Sequence, residues 1–275
     1  LSKDWNKSRQ ETIDETADLL NESLSDTYTE TDDMGFENNI YFYKQFKKKN
    51  RGMTISVDNE HKKSSVFSNI NSATIFYQSS DPNDIRNQNQ FIDTKFNKMR
   101  TEIRFGEPLT DSLKLSATTE IDYYNSGDER KTFDFDAVSQ AYDDFNDLQS
   151  NTINSSVFKI TPTLGLNLQK KNIRARFNAG PEFVTFKNES QYLGVTTPLD
   201  KDYVFPRITS NLSYTINKSK SIYANYDYNV ELPLANQILP VLNLSNPLNT
   251  IIGNADLDPT RQHNVYLNYN NYDWQ

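Results

Sequence analysis

The sequence contains no cysteine and only two histidines, His61 and His263. Without cysteine the chain forms no disulfide bond, offers no thiolate to a metal ion and has no thiol nucleophile. The two histidines stand far apart in the sequence, which disfavours histidine-based catalysis and histidine-rich metal sites. We therefore expect no metal site, no cofactor and no catalytic residues, and we do not expect an enzyme.

Long hydrophobic runs are also absent, because no window approaches ~18 consecutive apolar residues. This excludes a membrane-spanning helix, and residues 1–20 lack the uninterrupted apolar segment of a signal peptide. Neither absence excludes the membrane, since the strands of a transmembrane barrel are short and only alternately apolar. The net charge of -8 at pH 7 disfavours nucleic acid as a partner.

Aromatic residues, in contrast, are abundant, with 16 tyrosines and 16 phenylalanines. They occur in a chain that is only 35% hydrophobic and has a mean hydropathy of -0.78. A compact core holding so many rings would make the whole chain more apolar. A sheet with one apolar face and one wet face accounts for both numbers, so the composition indicates a wall of strands.

Apolar and polar residues alternate over long stretches of the chain. Between residues 113 and 124, Leu115 and Ile121 share one parity, whereas Lys114 and Glu120 share the other. A period of two is typical of a β-strand with one apolar face, and this run is about double the usual strand length. Similar runs recur at 158–169, 173–179, 208–216, 222–230 and 265–270.

The connections between these runs are sorted by length. Short turns such as QKKN and NKSKS alternate with long polar connections at about 79–90, 125–153, 187–202 and 231–263. Outer-membrane barrels show this arrangement, with short periplasmic turns and long extracellular loops. Lipid also favours a closed antiparallel sheet, because every backbone group must be paired there.

We therefore predict an all-β fold, an antiparallel up-and-down meander of roughly nine or ten long strands within a transmembrane outer-membrane β-barrel. Residues 38–275 are the barrel region, and residues 1–37 are an acidic irregular segment or a frayed strand of the same barrel. The final residues continue a strand pattern, so we expect an internal piece of a longer barrel that does not close by itself. The alternatives are a soluble secreted β-sandwich or adhesin-like binding module, and a barrel enzyme of the outer membrane.

The connection at residues 231–263 is unusually rich in proline, yet leucine and isoleucine recur through it. Proline is excluded from paired strands, and a flexible linker would be polar, so this loop has apolar surface to bury. Asn, Pro and Gly are the residue types that fix turns. We predict an extracellular loop that contacts a ligand or a partner, or that serves only to pack. The candidate contact residues are Asn246, Pro247, Gly253, Asn254, Leu257 and Pro259.

Two lumen-facing carboxylates, Glu120 and Asp122, are the natural candidates for a general acid and base. We expect them not to converge, with their side chains directed to different faces of the strand, so catalysis is disfavoured. The acidic residues between Asp134 and Asp147 lack the regular spacing of a calcium-binding loop. A solvated loop accounts for them better than a metal site.

Three stretches resemble one known family. YKQFKKKNRGMTISV at 43–57 is similar to its basic turn, and RTEIRFGEPL at 100–109 to its Glu-Pro-Leu turn. SNPLNTIIGNADLDP at 245–259 is similar to its Asn-Pro and Gly-Asn loop, after an element with Pro233, Gln237, Leu239 and Pro240. Together they resemble the β-barrel region of TonB-dependent outer-membrane receptors of the Bacteroidota type, the outer membrane protein beta-barrel family.

The resemblance implies a plugged barrel that binds and imports a scarce nutrient across the outer membrane. The implied partners are outer-membrane lipid, an unknown nutrient ligand, a surface lid lipoprotein and an inner-membrane energiser. The energiser would act through a plug domain, which is not visible in residues 1–275. The identity of the ligand does not follow from these residues.

Overall fold

The computed structural model describes residues 1–78, 82–244, 248 and 250–272. Within them the chain forms strands almost throughout, with one helix of a single turn. The first strands in chain order are β1 (Ser2–Ile13), β2 (Leu19–Gln45), β3 (Gly52–Phe76), β4 (Asp84–Pro108), β5 (Leu113–Asp136) and β6 (Ala141–Phe145). They are followed by β7 (Asn151–Gln169), β8 (Ile173–Tyr192), β9 (Val195–Thr215), β10 (Lys220–Glu231), α1 (Ala235–Ile238), β11 (Leu242–Asn243), β12 (Ile251–Ile252) and β13 (Thr260–Asn271).

The large sheet is an antiparallel meander in which strands follow one another in chain order. Its path runs β1-β2-β3-β4-β5-β7-β8-β9-β10-β13, and β6 pairs with the end of β5. The two-residue strands β11 and β12 pair only with each other. Within the described residues β1 and β13 are the two edges of the path and do not pair. The predicted all-β meander is confirmed, and the sheet is open.

Strands β2 to β5 are much longer than a bilayer requires. They contain 27, 25, 25 and 24 residues, whereas a transmembrane strand needs about 9–11. At a rise of about 3.3 Å per residue, such a strand is roughly 80 Å long. A strand of this length is long enough to cross a bilayer with one part and to leave the other part in water.

This extension corrects three sequence interpretations. The predicted connection at 79–90 is shorter, because β4 already begins at Asp84. Residues 187–202 are not a long loop, because β8 and β9 continue to a tight turn at Leu193 and Gly194, both with positive φ. Much of 125–153 likewise belongs to strands β5, β6 and β7. Polar residues cover both faces of a strand that stands in water, so the one-sided alternation fades and the sequence resembles a loop.

The amino-terminal segment is also regular. The sequence analysis interpreted residues 1–37 as an acidic irregular segment or a frayed strand of the same barrel. The irregular alternative is wrong, because β1 and β2 pair over most of this stretch, from Ser2↔Thr31 to Ile13↔Leu19. Strand β2 then runs without a break across the boundary between residues 37 and 38. Cross-strand ion pairs between Lys3 and Glu30 (2.6 Å) and between Lys7 and Asp26 (2.8 Å) accompany this pairing, and they take the place of an apolar face.

One face of the sheet, called here the outer face, carries an exposed apolar band. Leu164 is 63% exposed and Phe177 is 50% exposed. In a water-soluble protein, a band of such apolar side chains would be covered by other parts of the protein. The band lies towards the end of the sheet that carries the short turns. Its further members include Ile40, Phe42, Met99, Ile103, Phe105, Tyr123, Phe158, Leu166, Phe183, Val265 and Leu267.

The opposite face, called here the inner face, is polar where the outer face is apolar. Directly paired residues share a face, and Thr54, Arg104, Thr118 and Thr163 form one such row across β3, β4, β5 and β7. Among the described residues no helix is long and apolar enough to cross a membrane.

Candidate functional site: the inner wall and the inward segment

The connection between β10 and β13 folds over the inner face. Its described parts, residues 232–244 and 250–259, are called here the inward segment. Leu232, Pro233 and Leu234 line a shared hollow with Val157 and Phe186 of the wall. Phe186 pairs with Val157, and Val157 pairs with Tyr124; Tyr124 is two residues from Asp122, so all of them belong to the inner face.

The segment is held by the main buried apolar cluster of the described residues. Ile238 and Leu239 are 0% exposed and, with Val241, pack with Val184 and Phe186 of the wall. Burying a large aliphatic side chain contributes about 1.5–3 kcal/mol. The unexplained leucines and isoleucines of the sequence thus fix this connection against the wall.

Two basic side chains tether the segment at other points. The Arg86 guanidinium is 6% exposed and donates from Nη1 to the carbonyl of Leu244 over 2.7 Å. Asp84 holds the same guanidinium with contacts of 2.6 and 2.8 Å. On β9, Lys201 Nζ donates to the carbonyl of Ala255 over 2.6 Å. The segment therefore spans the inner face from β9 to β4.

These tethering residues were missed by the sequence analysis. Asp84 and Arg86 are separated by one residue on a strand, so the sequence does show that they share a face. Nothing in the sequence indicates that the guanidinium reaches a carbonyl more than a hundred residues away, because that contact depends on how the connection folds back.

The candidate contact residues of this loop have separate roles. The Asn254 amide donates to the carbonyl of Gln237 over 2.7 Å, and the Leu257 amide donates to the carbonyl of Asn254 over 3.1 Å. Asn254 and Leu257 are exposed, whereas Gly253 and Pro259 are half-buried. Asn246 and Pro247 lie outside the described residues. Gly253 and Asn254 thus fold the segment, and contact with a ligand or partner stays a prediction.

Below the inward segment, towards the short turns, the inner face forms an open polar depression of about 780 Å³. Hydroxyls, amides and charged groups line it, so it would receive a hydrophilic surface or solute. The lining includes Thr54, Arg104, Glu120, Thr163, Asn167, Arg176 and Arg207.

Ion pairs organise this polar wall. Arg100 Nη2 lies 2.7 Å from Glu120 Oε2, and Arg100 Nε lies 3.6 Å from Asp122 Oδ1. The expectation that Glu120 and Asp122 would not converge is wrong, because residues two apart on a strand share a face. They meet at a cation, so they do not form an isolated acid–base pair. The guanidinium offsets one of their two negative charges.

A second group of ion pairs lies at the end of the sheet that carries the short turns. Arg51 donates from Nε and Nη2 to the two Glu107 oxygens over 2.6 and 2.9 Å, and Lys48 donates to the same carboxylate. The hydrogen bonds from Arg51 and then from Lys48 lower the pKa of Glu107 to about 2. The basic turn and the Glu-Pro-Leu turn, noted separately in the sequence, are therefore one unit.

Comparison with known families identifies this wall. Residues 44–275 match the model of the outer membrane protein beta-barrel family. The chain belongs to that family. It is located in the outer membrane, so the exposed apolar band of this barrel wall faces lipid and the inner face lines the lumen. No curated protein matches the chain in sequence.

The solved structures to which this barrel wall is similar share little sequence with it. The ferric yersiniabactin uptake receptor from Yersinia pestis has 8% identity and a TM-score of 0.41, over 97% of this chain and 46% of the receptor. The ferric citrate transporter in its unliganded form has 11% identity and a TM-score of 0.40, over 77% and 34%. The outer membrane protease OmpT from Escherichia coli has 10% identity and a TM-score of 0.28, over 97% and 89%. The chain thus spans less than half the length of the two uptake proteins.

Proposed function

We propose that this chain is a wall of a TonB-dependent receptor of the Bacteroidota type, which binds a scarce nutrient and imports it across the outer membrane. The observation that carries the proposal is the inward segment, which is packed and tethered over a polar lumen wall. A connection held in this position restricts entry to the lumen from one end. A solute that enters the lumen must pass it.

The site would bind its ligand where the segment meets the wall. Asn254 and Leu257 are exposed on the segment, and the wall beside it carries the charged groups of Lys159 and Glu231. The hollow between the segment and the wall thus combines apolar groups such as Phe186 and Leu232 with these charges, which suits a ligand of mixed character. Asn246, Pro247 and Pro259 remain candidates for contact with the ligand or with a surface lid lipoprotein.

The polar depression at the short-turn end is a suitable docking surface for a part of the full-length receptor on the periplasmic side. A plug domain that couples to an inner-membrane energiser would dock against a hydrophilic wall of this kind. The basic turn and the Glu-Pro-Leu turn, joined through Glu107, would rigidify the rim beside it. In this arrangement the short turns are periplasmic and the long strand extensions are extracellular.

Enzymatic activity is not part of this proposal. Arg100 forms ion pairs with both carboxylates that a hydrolytic pair would need, so neither is free to act as an isolated acid or base. The outer-membrane location removes the alternative of a soluble secreted β-sandwich, and an adhesin-like role would not require a tethered segment inside the lumen.

Uptake by cells tests the proposal directly. A strain without the protein would be complemented with the wild-type gene, with a deletion of residues 235–244, or with a deletion of residues 137–140 in the β5–β6 turn. Labelled ferric siderophores, cobalamin, oligosaccharides and peptides would be offered with and without dissipation of the inner-membrane proton gradient. We expect gradient-dependent uptake of one class that the first deletion abolishes or uncouples and the second leaves intact. Equal uptake of every class by all strains would contradict the proposal.

A further inference from the structure

Three prolines lie side by side in one row across β7, β8 and β9. Pro181 pairs directly with Pro206. The register between β7 and β8 is the same above and below residue 162, and it places Pro162 opposite Pro181. Each of the three has the parity of an exposed member of the apolar band on its own strand, so all three rings lie on the outer face. They are called here the proline row.

The proline row interrupts the ladder between β7 and β8. The Thr215 amide donates to the Asn172 carbonyl over 2.8 Å, so odd-numbered residues of β9 are bonded to even-numbered residues of β8. Pro181 therefore directs its backbone to β7, where it meets Pro162. Two residues in this position normally exchange two N–H···O bonds, but neither proline has an N–H. The pairing is absent over the three positions centred on these prolines, all of which the structure describes.

Gly180 shows how closely the two strands approach at this gap. A Cβ added at Gly180 would stand 1.9 Å from the Pro162 carbonyl oxygen, so that oxygen lies against the Gly180 backbone. An unpaired carbonyl is costly beside lipid. On either side of the gap the β7–β8 pairing is continuous. The gap is therefore a line of weak pairing in an otherwise regular wall.

The third proline ends the ladder on the other side of this hairpin. Even-numbered residues of β9 direct their backbone to β10, and Ile208↔Tyr228 is the last such pair. The next would join Pro206 to Val230, but Pro206 has no N–H to donate. Arg207 Nη1 donates to the Tyr228 carbonyl over 3.1 Å at this point. Above the proline row, β9 is paired with β8 alone among the described strands.

The inward segment is anchored to β8 and β9 above the proline row. Val184 and Phe186 of β8 and Phe205 of β9 belong to the cluster that buries Ile238 and Leu239. Each of these wall residues lies one to five residues beyond the proline of its strand, on the side away from the short turns. A bend at the row would therefore move the segment together with its anchors.

Both ends of the segment join the wall at the height of the row. Val230 stands where it would face Pro206, and Glu231, the next residue, pairs with Thr260. The chain leaves β10 after Glu231 and returns to β13 at Thr260. Points close to the axis of a bend move least, so the ends of the segment can stay in place while its middle swings.

The tether on β4 lies outside the moving part. Arg86 Nη1 holds the Leu244 carbonyl over 2.7 Å, and Asp84 fixes the guanidinium from the same strand. The donor therefore stays with β4 when the upper parts of β8 and β9 move. The Lys201 tether belongs to β9 and would move with the segment. A bend must break the contact of Arg86 and can keep that of Lys201.

We propose that the proline row is a hinge of the barrel wall. The upper parts of β7, β8 and β9 bend at it and carry the inward segment away from the lumen, while β5, paired with β7 without a gap, is the fixed side. The contact between Arg86 and the Leu244 carbonyl is the latch that holds the closed state. The hinge rests on the proposed uptake function for its purpose, which is to admit the nutrient ligand. The bend itself can be measured without uptake.

Double electron–electron resonance on the full-length protein in lipid nanodiscs tests the bend. Spin labels on cysteines at Leu193, in the β8–β9 turn, and at Val138, in the β5–β6 turn, would report the distance between the moving and the fixed side. Both positions are exposed. We expect two distance populations, of which the closed one is larger. Arg86→Gln should raise the ratio of open to closed about tenfold, because a charge-assisted hydrogen bond is lost.

Restoring the missing donors tests where the wall bends. Pro162→Val/Pro181→Val supplies both N–H groups and should close the gap between β7 and β8. We expect this variant to lose the open population even when Arg86→Gln is added, and amide hydrogen exchange around Gly180 should slow. Pro198→Val is the matched control, because Pro198 lies on β9 above the row and directs its backbone to the unpaired side. It should keep both populations, and melting temperatures would show that each variant is folded.

Two results would overturn the hinge. A single narrow distance in both the wild type and Arg86→Gln would show that the wall does not bend. Two populations that persist in Pro162→Val/Pro181→Val would place the movement elsewhere. Failure of the uptake function gives a different result: the hinge and latch respond as expected, but no labelled nutrient enters cells.

Discussion

Gly253 lies directly against the backbone of Leu239, so that a Cβ added at position 253 would stand 2.0 Å from the Leu239 carbonyl oxygen. No side chain can be accommodated there without moving backbone. The contact joins the returning half of the inward segment to its buried first half, where Leu239 is 0% exposed. Gly253 of the Gly-Asn motif is therefore the position at which the two halves of the inward segment pack together.

Gly253→Ala is expected to loosen the inward segment without unfolding the barrel. A cysteine at Ile238, in a cysteine-free background, would report on this opening through its rate of maleimide labelling. We expect labelling to accelerate about tenfold, the change that follows from about 1.4 kcal/mol of lost closure stability. Gly35→Ala is the control, since its Cβ would make only ordinary contacts, with Lys62 Cγ at 3.7 Å and the His61 carbonyl oxygen at 3.8 Å. Equal rates in both variants would contradict the closure role.

The orientation of the wall can be read from two exposed positions at opposite ends. Val138, in the turn between β5 and β6, is 92% exposed, and Lys218 lies in the short turn between β9 and β10. With a cysteine at either position, we expect an impermeant maleimide to label position 138 in intact cells. Position 218 should react only after lysis. The reverse pattern would invert the assignment of periplasmic and extracellular ends.

Stability should depend on pH through Glu107. Its pKa falls from 4.5 to about 2 in the folded protein, so its contribution is complete above pH 4.5 and is lost as the pH drops towards 2. Glu107→Gln should be less stable than wild type at neutral pH, and the difference should shrink over this window. Urea unfolding of the detergent-solubilised protein at a series of pH values measures it. Glu15→Gln, at the other end of the sheet, removes the same charge away from Lys48 and Arg51, and a matching pH trend in it would refute the assignment.

Removing Arg100 alone should destabilise the barrel more than removing it together with Glu120 and Asp122. Removing the guanidinium leaves Glu120 and Asp122 as two like charges on one face, which costs more than removing all three charges. We expect Arg100→Ala to destabilise the barrel by about 1 kcal/mol. Adding Glu120→Gln and Asp122→Asn should recover most of that loss. Unfolding free energies of the single, double and triple variants form the required cycle; strictly additive effects would show that the three groups act independently.

Part of the fold could be predicted from the sequence because residues close together in the chain determine it. Alternation such as that from Leu113 to Tyr123 fixes both the strand and its apolar face. Short turns such as NKSKS fix antiparallel neighbours. The same logic failed where strands leave the lipid. At 187–202 both faces meet water, the period of two disappears, and a hairpin with its turn at Leu193 and Gly194 resembles a loop.

The site was predictable only in outline. The sequence by itself determined that residues 231–263 combine turn-forming residues with apolar surface that needs burial, because both properties belong to single residues. Only the tertiary structure decided where that surface goes, namely onto Val184 and Phe186 of the inner wall. The tether from Arg86 to Leu244 and the meeting of Glu120 with Asp122 at Arg100 likewise depend on strand register and on the path of the returning chain. Such contacts join residues far apart in sequence, and no local pattern encodes them.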